Sequence, residues 1–364
     1  MIKNIDLQFQ YGLIKTELKS KLNEVYEKTD YIGGSEVKIF EENFSRFTGS
    51  KYCVPVANGT DALEIILESL NLQNKEIILP ALTFVATAEA ILRVGAVPVF
   101  ADVDSSNTID VKNVQDLIGP KTGAIIAVNL HGNASNLSEL QKIANDSSIY
   151  LIQDSAQAHG TLHKEGQLGS FGIASAYSFY PGKTLGAFGD GGAIITNTEK
   201  LSENTRRIAN HGRLKKFDHE IIGRNSRLDT VQAAVLNLKL PYIDSWVKTR
   251  RQNASRYLDH FSNIDWIDLP SSDLYGNSSY HQFVIISKRK SEIEGVLSQN
   301  NIEFGYHYPY TVPELKPFNI YASKQKFIMS EKVANYGISL PIGEHLKLDE
   351  IEFVAETILR LQRI

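Results

Sequence analysis

Two side chains, an acid and an amine, stand where they could do chemistry. Asp154 follows the run Tyr150-Leu-Ile-Gln. It is expected at the carboxyl end of a buried strand, the end that faces the ligand crevice in open α/β sheets. A carboxylate there can hold a protonated pyridine nitrogen and so strengthen the ring as an electron sink. It can equally cap a following helix, as Asp often does. Lys183 lies in Tyr180-Pro-Gly-Lys-Thr-Leu-Gly186, just after another apolar run. Pro and Gly make a turn that can present one side chain into a crevice. An amine used for Schiff-base chemistry must be neutral part of the time, which desolvation or a neighbouring cation can bring about. Taken alone, a lysine in a loop is usually just solvated.

A third candidate is Asn58-Gly-Thr60, which follows one apolar run and precedes a helical pattern beginning near Asp61. Glycine lets the backbone approach closely, and a helix N-terminus offers free N–H groups, so the segment suits a phosphate. An ordinary turn with Thr60 as the cap is the alternative. The glycine-rich stretch Gly186-Ala-Phe-Gly-Asp-Gly-Gly192 resembles a dinucleotide fingerprint only in composition. That fingerprint follows a strand and opens a helix, whereas these glycines precede a strand, Ala193 to Thr196. They read as tight turns beside the lysine, which disfavours a nicotinamide-dependent oxidoreductase. His159, His211 and His307 are dispersed without metal-ligand spacing, so no metal site is expected. No Gly-x-Ser-x-Gly elbow marks a serine hydrolase.

The elements that must position these residues are legible as short apolar runs. They are Cys53 to Ala57, Glu76 to Leu79, Val97 to Ala101, Ala124 to Val128, Ile149 to Ile152, Ala174 to Ser178 and Ala193 to Thr196. Nearly continuous apolar runs suit strands buried on both faces. Helical patterns such as Asp61 to Leu70 and Leu137 to Ala144 lie between several of them. This alternation implies an α/β domain with a mostly parallel sheet. Leu13 to Tyr26 looks helical, and Tyr31-Ile-Gly-Gly-Ser35 looks like a loop. After about residue 235 the pattern changes to a long helical stretch from Tyr242 to Leu258. A strand (Phe283 to Ile286), a helix (Ile293 to Gln299) and a final helix (Leu348 to Leu361) follow. The expected organisation is a large domain over residues 1–240 and a smaller C-terminal α+β domain over 241–364.

Composition bounds the rest. The chain has 364 residues, 42% hydrophobic and 22% charged, with a net charge of −4, which suits a globular protein and offers no basic footprint for nucleic acid. One cysteine, Cys53, excludes an intrachain disulfide framework and fits a reducing compartment. The N-terminal residues lack the apolar core of a signal peptide, and no run approaches the roughly 18 apolar residues that span a bilayer. A cytoplasmic location away from the membrane is expected.

Together the segments resemble the sugar aminotransferases of the DegT/DnrJ/EryC1/StrS family, which share the aspartate-aminotransferase fold (fold type I of pyridoxal-phosphate enzymes). The resemblance rests on Ala57-Asn-Gly-Thr-Asp-Ala-Leu63, Pro80-Ala-Leu-Thr-Phe-Val-Ala-Thr-Ala88 and Asp154-Ser-Ala-Gln-Ala-His-Gly160. Ser178-Phe-Tyr-Pro-Gly-Lys-Thr-Leu-Gly186, Gly189-Asp-Gly-Gly-Ala193, Asn225-Ser-Arg-Leu-Asp-Thr-Val-Gln-Ala-Ala234 and Ser339-Leu-Pro-Ile342 complete it. The family's order is kept over nearly the whole chain. The resemblance implies a seven-stranded sheet and pyridoxal 5'-phosphate as cofactor. Lys183 would carry the cofactor as a Schiff base and shuttle the proton as general base. Asp154 would pair with the pyridine nitrogen and Gln157 would bond the ring's hydroxyl oxygen. Phe84 would stack on the ring. Gly59, Thr60 and Ser178 would hold the phosphate, and Asn225 would reach the cofactor phosphate of a neighbouring subunit, making the active unit a homodimer. Phe84 could instead be core, Gln157 could face solvent on a helix, and His159 could flank the cofactor or only pack.

The amino donor implied is glutamate and the acceptor a ketosugar linked to a nucleoside diphosphate, as in surface-polysaccharide synthesis. Tyr31, His159, Tyr180, Arg213, His307 and Tyr308 are the residues expected near the substrate; ordinary surface loops are the alternative for the segments carrying Tyr31, Arg213, His307 and Tyr308. Asn-Gly-Thr-Asp-Ala-Leu with Asn-Ser-Arg-Leu-Asp looks more like members that aminate C3 of a keto-hexose, of the dTDP-3-amino-3,6-dideoxyhexose type, than members acting at C4. A C4 enzyme, a UDP-linked 3-ketosugar substrate and a non-catalytic regulatory protein that binds the cofactor remain as alternatives. The family's dehydratases, in which histidine replaces the lysine, are disfavoured by Lys183.

Overall fold

The computed structural model describes residues 1–322 and 325–363. Its strands in chain order are β1 (Tyr52–Val56), β2 (Glu76–Pro80), β3 (Val97–Ala101), β4 (Thr122–Val128), β5 (Tyr150–Asp154), the short β6 (Leu162–His163) and β7 (Gly166–Gln167), β8 (Ala174–Ser178), β9 (Gly192–Thr196), β10 (Gly276–Asn277), β11 (Phe283–Ile286) and β12 (Gly337–Leu340). Seven of them form one sheet in the order β1-β9-β8-β5-β4-β2-β3. The seven apolar runs of the sequence are these seven strands.

The pairs from β3 through β2, β4 and β5 to β8 are parallel. β9 is antiparallel to both of its neighbours, β8 and β1. β1 therefore points the same way as β8. All seven residues of β4 are buried, and the two-residue strand period divides the sheet's side chains between its faces. Ile77, Leu79, Ala124 and Ile126 join one apolar cluster with the helices Gly59–Ser69 and Ala86–Arg93. Ile78, Ile125 and Ala127 point the other way, onto the helices Val111–Leu117 and Leu137–Asp146. A sheet covered on both faces explains why its strands read as continuous apolar runs.

In the C-terminal part β11 and β12 form an antiparallel ribbon. Phe283 and Ile285 face an apolar cluster built with the helices Ile243–Phe261, Lys290–Gln299 and Leu348–Leu359. Val284 and Ile286 face the cluster under the large sheet, so the ribbon is packed on both sides. The N-terminal helix is longer than its apolar pattern suggests. It runs Leu7–Lys28, because the Asp6 carboxylate accepts from the N–H groups of Gln8 and Phe9 and starts it earlier. Ser35, expected in a loop, opens the next helix, Ser35–Thr48. Ahead of the first helix, Ile2 bridges to Ile302, so the first residues lie on the C-terminal part. Among the described residues no helix is long and apolar enough to cross a membrane.

Candidate active site

The carboxyl ends of β1, β2, β4, β5 and β8 and the amino end of β9 meet at one edge of the sheet. A cavity of about 520 Å³ opens there, a volume that suits a cofactor or small ligand. Lys183, Asp154, Gln157, Phe84, Gly59, Thr60 and Ser178 all line it, as do Tyr180, His307 and Tyr308. These residues come from separate segments of the chain, and the parallel topology gathers them.

Asp154 ends β5 and is buried. No helix follows it, so it caps none. Its Oδ2 accepts from Thr87 Oγ1 at 2.8 Å and its Oδ1 from the Ala156 N–H at 3.1 Å. Burial raises its pKa above the usual carboxylate value, while Thr87, the Ala156 amide and the charge of Lys183 pull the other way. The half-buried Lys183 sits in the turn after β8, where its N–H donates to the Tyr180 carbonyl at 2.8 Å. Desolvation lowers its pKa from 10.5 to about 8, with Asp154 opposing. At neutral pH an appreciable fraction is therefore neutral and nucleophilic.

Gln157 does not face solvent on a helix. It is buried, with Oε1 accepting from the His131 N–H at 2.8 Å and Nε2 donating to the Tyr308 hydroxyl at 2.9 Å. Phe84 is not core either. It is 52% exposed on the cavity wall, its ring centroid 5.7 Å from that of Tyr308. The helix Gly59–Ser69 opens at the cavity and is capped by Asn58, not Thr60, through Asn58 Oδ1 and the Asp61 N–H at 2.8 Å. A Cβ on Gly59 would meet the Ser178 Cβ at 2.8 Å, and one on Gly192 would meet the Asn58 carbonyl carbon at 2.4 Å. Glycine at these two positions lets three strand ends converge on a cradle of amides and hydroxyls.

His159, Tyr31, Arg213 and Asn225 are not brought to the cavity wall. His159 packs behind it among Phe44, Tyr177 and Phe179, and burial holds it neutral, with a pKa of about 3. Tyr31 is exposed beside Tyr26. Asn225 and Arg213 lie in a surface hairpin, bridging to Asn210 and His219. Five residues that sequence reasoning passed over do matter to the site: Thr87, His131, His281, Gln282 and Ile5. Thr87 stands within the matched segment after β2, three residues past Phe84. The others carried no signal of their own, because only folding brings them near. Among the described residues no group of three or more His, Cys, Asp or Glu is placed to hold a metal ion.

The donor set fits pyridoxal phosphate. A buried, partly compensated carboxylate suits a pyridinium, an amine of depressed pKa suits its aldehyde, and an open helix N-terminus beside Ser178 suits its phosphate. A model of the DegT/DnrJ/EryC1/StrS aminotransferase family matches residues 13–359. The dTDP-3-amino-3,6-dideoxy-alpha-D-galactopyranose transaminase of Aneurinibacillus thermoaerophilus is 36% identical, over 99% of each chain. The UDP-2-acetamido-2-deoxy-3-oxo-D-glucuronate aminotransferase of Pseudomonas aeruginosa is 34% identical, over 97% of this chain and 98% of its own. Among solved structures, DesV of S. venezuelae in complex with a ketimine intermediate superimposes with a TM-score of 0.96 at 32% identity, covering 99% of this chain and 98% of that one. The chain belongs to the DegT/DnrJ/EryC1/StrS aminotransferase family. It is a pyridoxal-phosphate-dependent transaminase of the aspartate-aminotransferase fold.

Proposed function

We propose that the chain moves an amino group from glutamate to C3 of a keto-deoxysugar linked to a nucleoside diphosphate, as a cytoplasmic homodimer in which Asn225 reaches the partner's cofactor phosphate. The observation that carries the reading is the facing pair of Lys183 and Asp154 on one cavity, with the Asn58-Gly-Thr60 cradle at its end. The similarity to relatives named for 3-amino and 3-oxo nucleotide sugars supports the acceptor class and the carbon.

Pyridoxal phosphate supplies a carbonyl that condenses with amines and a ring that takes up the electrons of the Cα–H bond. The chain's own residues do the rest. Asp154 would hold the proton on the ring nitrogen, and the hydrogen bonds from Thr87 and the Ala156 amide favour its ionised form against the cost of burial. Gln157, held at both ends of its amide by the His131 N–H and the Tyr308 hydroxyl, would hydrogen-bond the ring's hydroxyl oxygen. Gly59, Thr60 and Ser178 would hold the phosphate. Phe84, on the cavity wall, would stack on the ring and shield it from water. Lys183 would bond the cofactor's aldehyde and would also be the base that takes the proton from the donor's Cα and gives it back during the transfer. With a pKa of about 8 it can do both near neutral pH.

One site serving two substrates in turn predicts ping-pong kinetics. The test is an assay of dTDP-linked 3-keto- and 4-keto-6-deoxyhexoses, and of a UDP-linked 3-ketosugar, each with glutamate. The reading expects the dTDP-linked 3-keto sugar to be aminated with the highest kcat/KM. Preference for the 4-keto sugar, or a strictly sequential pattern, overturns it.

A further inference from the structure

A second lysine of lowered pKa lies beyond the cavity. Lys239 ends the helix Thr230–Lys239 and is completely buried. Among the described residues no carboxylate pairs with it directly, and Glu344 acts on it only at a distance. Its Nζ donates to the Gly186 carbonyl at 2.7 Å and to Gln10 Oε1 at 2.8 Å, and lies 4.6 Å from the centre of the Phe188 ring. Gln10 Nε2 donates in turn to Glu344 Oε1 at 2.6 Å. The other oxygen of Glu344 is paired with the buried Arg250 at 2.7 Å. Arg250 Nη1 reaches the carbonyls of Tyr280 and Ile342, each at 3.2 Å, and that of His281 at 3.5 Å. One buried chain, Lys239–Gln10–Glu344–Arg250, thus ties the N-terminal helix to both parts of the molecule.

Both ends of this chain grip the backbone of a cavity-lining segment. Gly186 closes the turn that carries Lys183. A Cβ there would meet the Pro181 carbonyl oxygen at 2.3 Å, and the Ala187 N–H donates to the Phe179 carbonyl at 2.8 Å. At the other end, His281 lines the cavity and its Nδ1 lies 3.5 Å from Thr184 Oγ1, one residue past Lys183. We propose that Lys239 is a positioning residue for Lys183, setting the lysine turn against the His281 segment by holding the Gly186 carbonyl through a charged hydrogen bond. The geometry asks for a lysine here because an ammonium can serve a carbonyl, an amide oxygen and an aromatic face at once.

The inference rests on Lys183 being the amine that bonds the cofactor, and its test separates the two. In the cofactor-loaded enzyme, Lys239→Met should speed amide exchange in the peptide 179–188 by about ten- to a hundredfold, the loss expected for a hydrogen bond to a charged group. Strand β4 should be unchanged. The pH midpoint of the bound cofactor's absorbance should shift, and kcat should fall more than KM changes. Faster exchange with an unmoved absorbance midpoint overturns the positioning role even if transamination is confirmed. Unchanged exchange overturns it outright. Should Lys239→Met not fold, Gln10→Leu decides, since it removes both the acceptor that orients the Lys239 ammonium on Gly186 and the link to Glu344. Exchange in 179–188 at least about threefold faster, with a shifted midpoint, supports the proposal; wild-type values overturn it.

Discussion

Thr87→Val removes the hydroxyl that donates to Asp154, and with it the contact between Thr87 and the Thr83 hydroxyl, at nearly constant volume. The Thr87 hydroxyl is fully buried and donates to Asp154 Oδ2 at 2.8 Å. Burial already pushes the Asp154 carboxyl up, and Thr87 leads the groups that bring it back down. A hydrogen bond to a charged group contributes about 1.5–3 kcal/mol, which corresponds to roughly one to two pH units. The acid limb of the pH–kcat/KM profile for the glutamate half-reaction should therefore move up by about one to two units. Below the new midpoint the rate should fall about tenfold per pH unit, and on the alkaline plateau it should return close to wild type. Thr87→Ser, which keeps the hydroxyl, should leave the limb in place. A Thr87→Val enzyme slowed equally at every pH, or one with an unmoved acid limb, would refute the reasoning.

Other residues give shorter tests. Lys183→Met should abolish turnover yet stabilise the cofactor-free protein. A lysine whose folded pKa is depressed from 10.5 to about 8 destabilises the fold progressively as pH falls from about 10.5 to about 8, so the gain grows across that window, is complete below pH ~8 at roughly 3 kcal/mol at most, and is read as a raised Tm at pH 7 that vanishes above pH ~11. Glu344→Gln leaves the buried Arg250 without its carboxylate and should cost about 3–5 kcal/mol in chemical denaturation. Asn58→Ala removes the cap of the helix that opens on the cavity. It should cost about 1 kcal/mol of stability and weaken cofactor retention on gel filtration.

Much of the sheet was legible because a doubly covered parallel sheet needs apolar residues on both strand faces, and Thr122 to Val128 shows that without ambiguity. Helix starts were harder. The helix at Leu7 begins on exposed residues, and the Asp6 cap, two local hydrogen bonds, fixes its start. The placement of Asp154, Lys183 and Asn58 followed from their strand ends, since the carboxyl edge of such a sheet is where the chain turns. Residues that act through another escaped notice. Thr87 is an ordinary threonine until folding puts it against Asp154, and His131 serves Gln157 with its backbone, where side-chain type carries no information. Lys239 is a plain helix-ending lysine in the sequence. Only the burial of that helix end turns it into a cation with two carbonyl partners. Tyr31, Arg213 and Asn225 lie away from the cavity, Tyr31 exposed beside Tyr26 and the other two in isolated bridges to His219 and Asn210.

The most direct test of the account is a single-turnover reaction of the cofactor-loaded enzyme with glutamate alone, followed by the nucleotide-linked 3-ketosugar. Wild type should release one equivalent of 2-oxoglutarate per site, lose the absorbance of its resting cofactor, and recover it as the sugar is aminated. Lys183→Ala should bind the cofactor and release no 2-oxoglutarate. Turnover by that variant, or a wild-type enzyme whose resting absorbance glutamate leaves unchanged, would contradict the central role of Lys183 and glutamate as the donor.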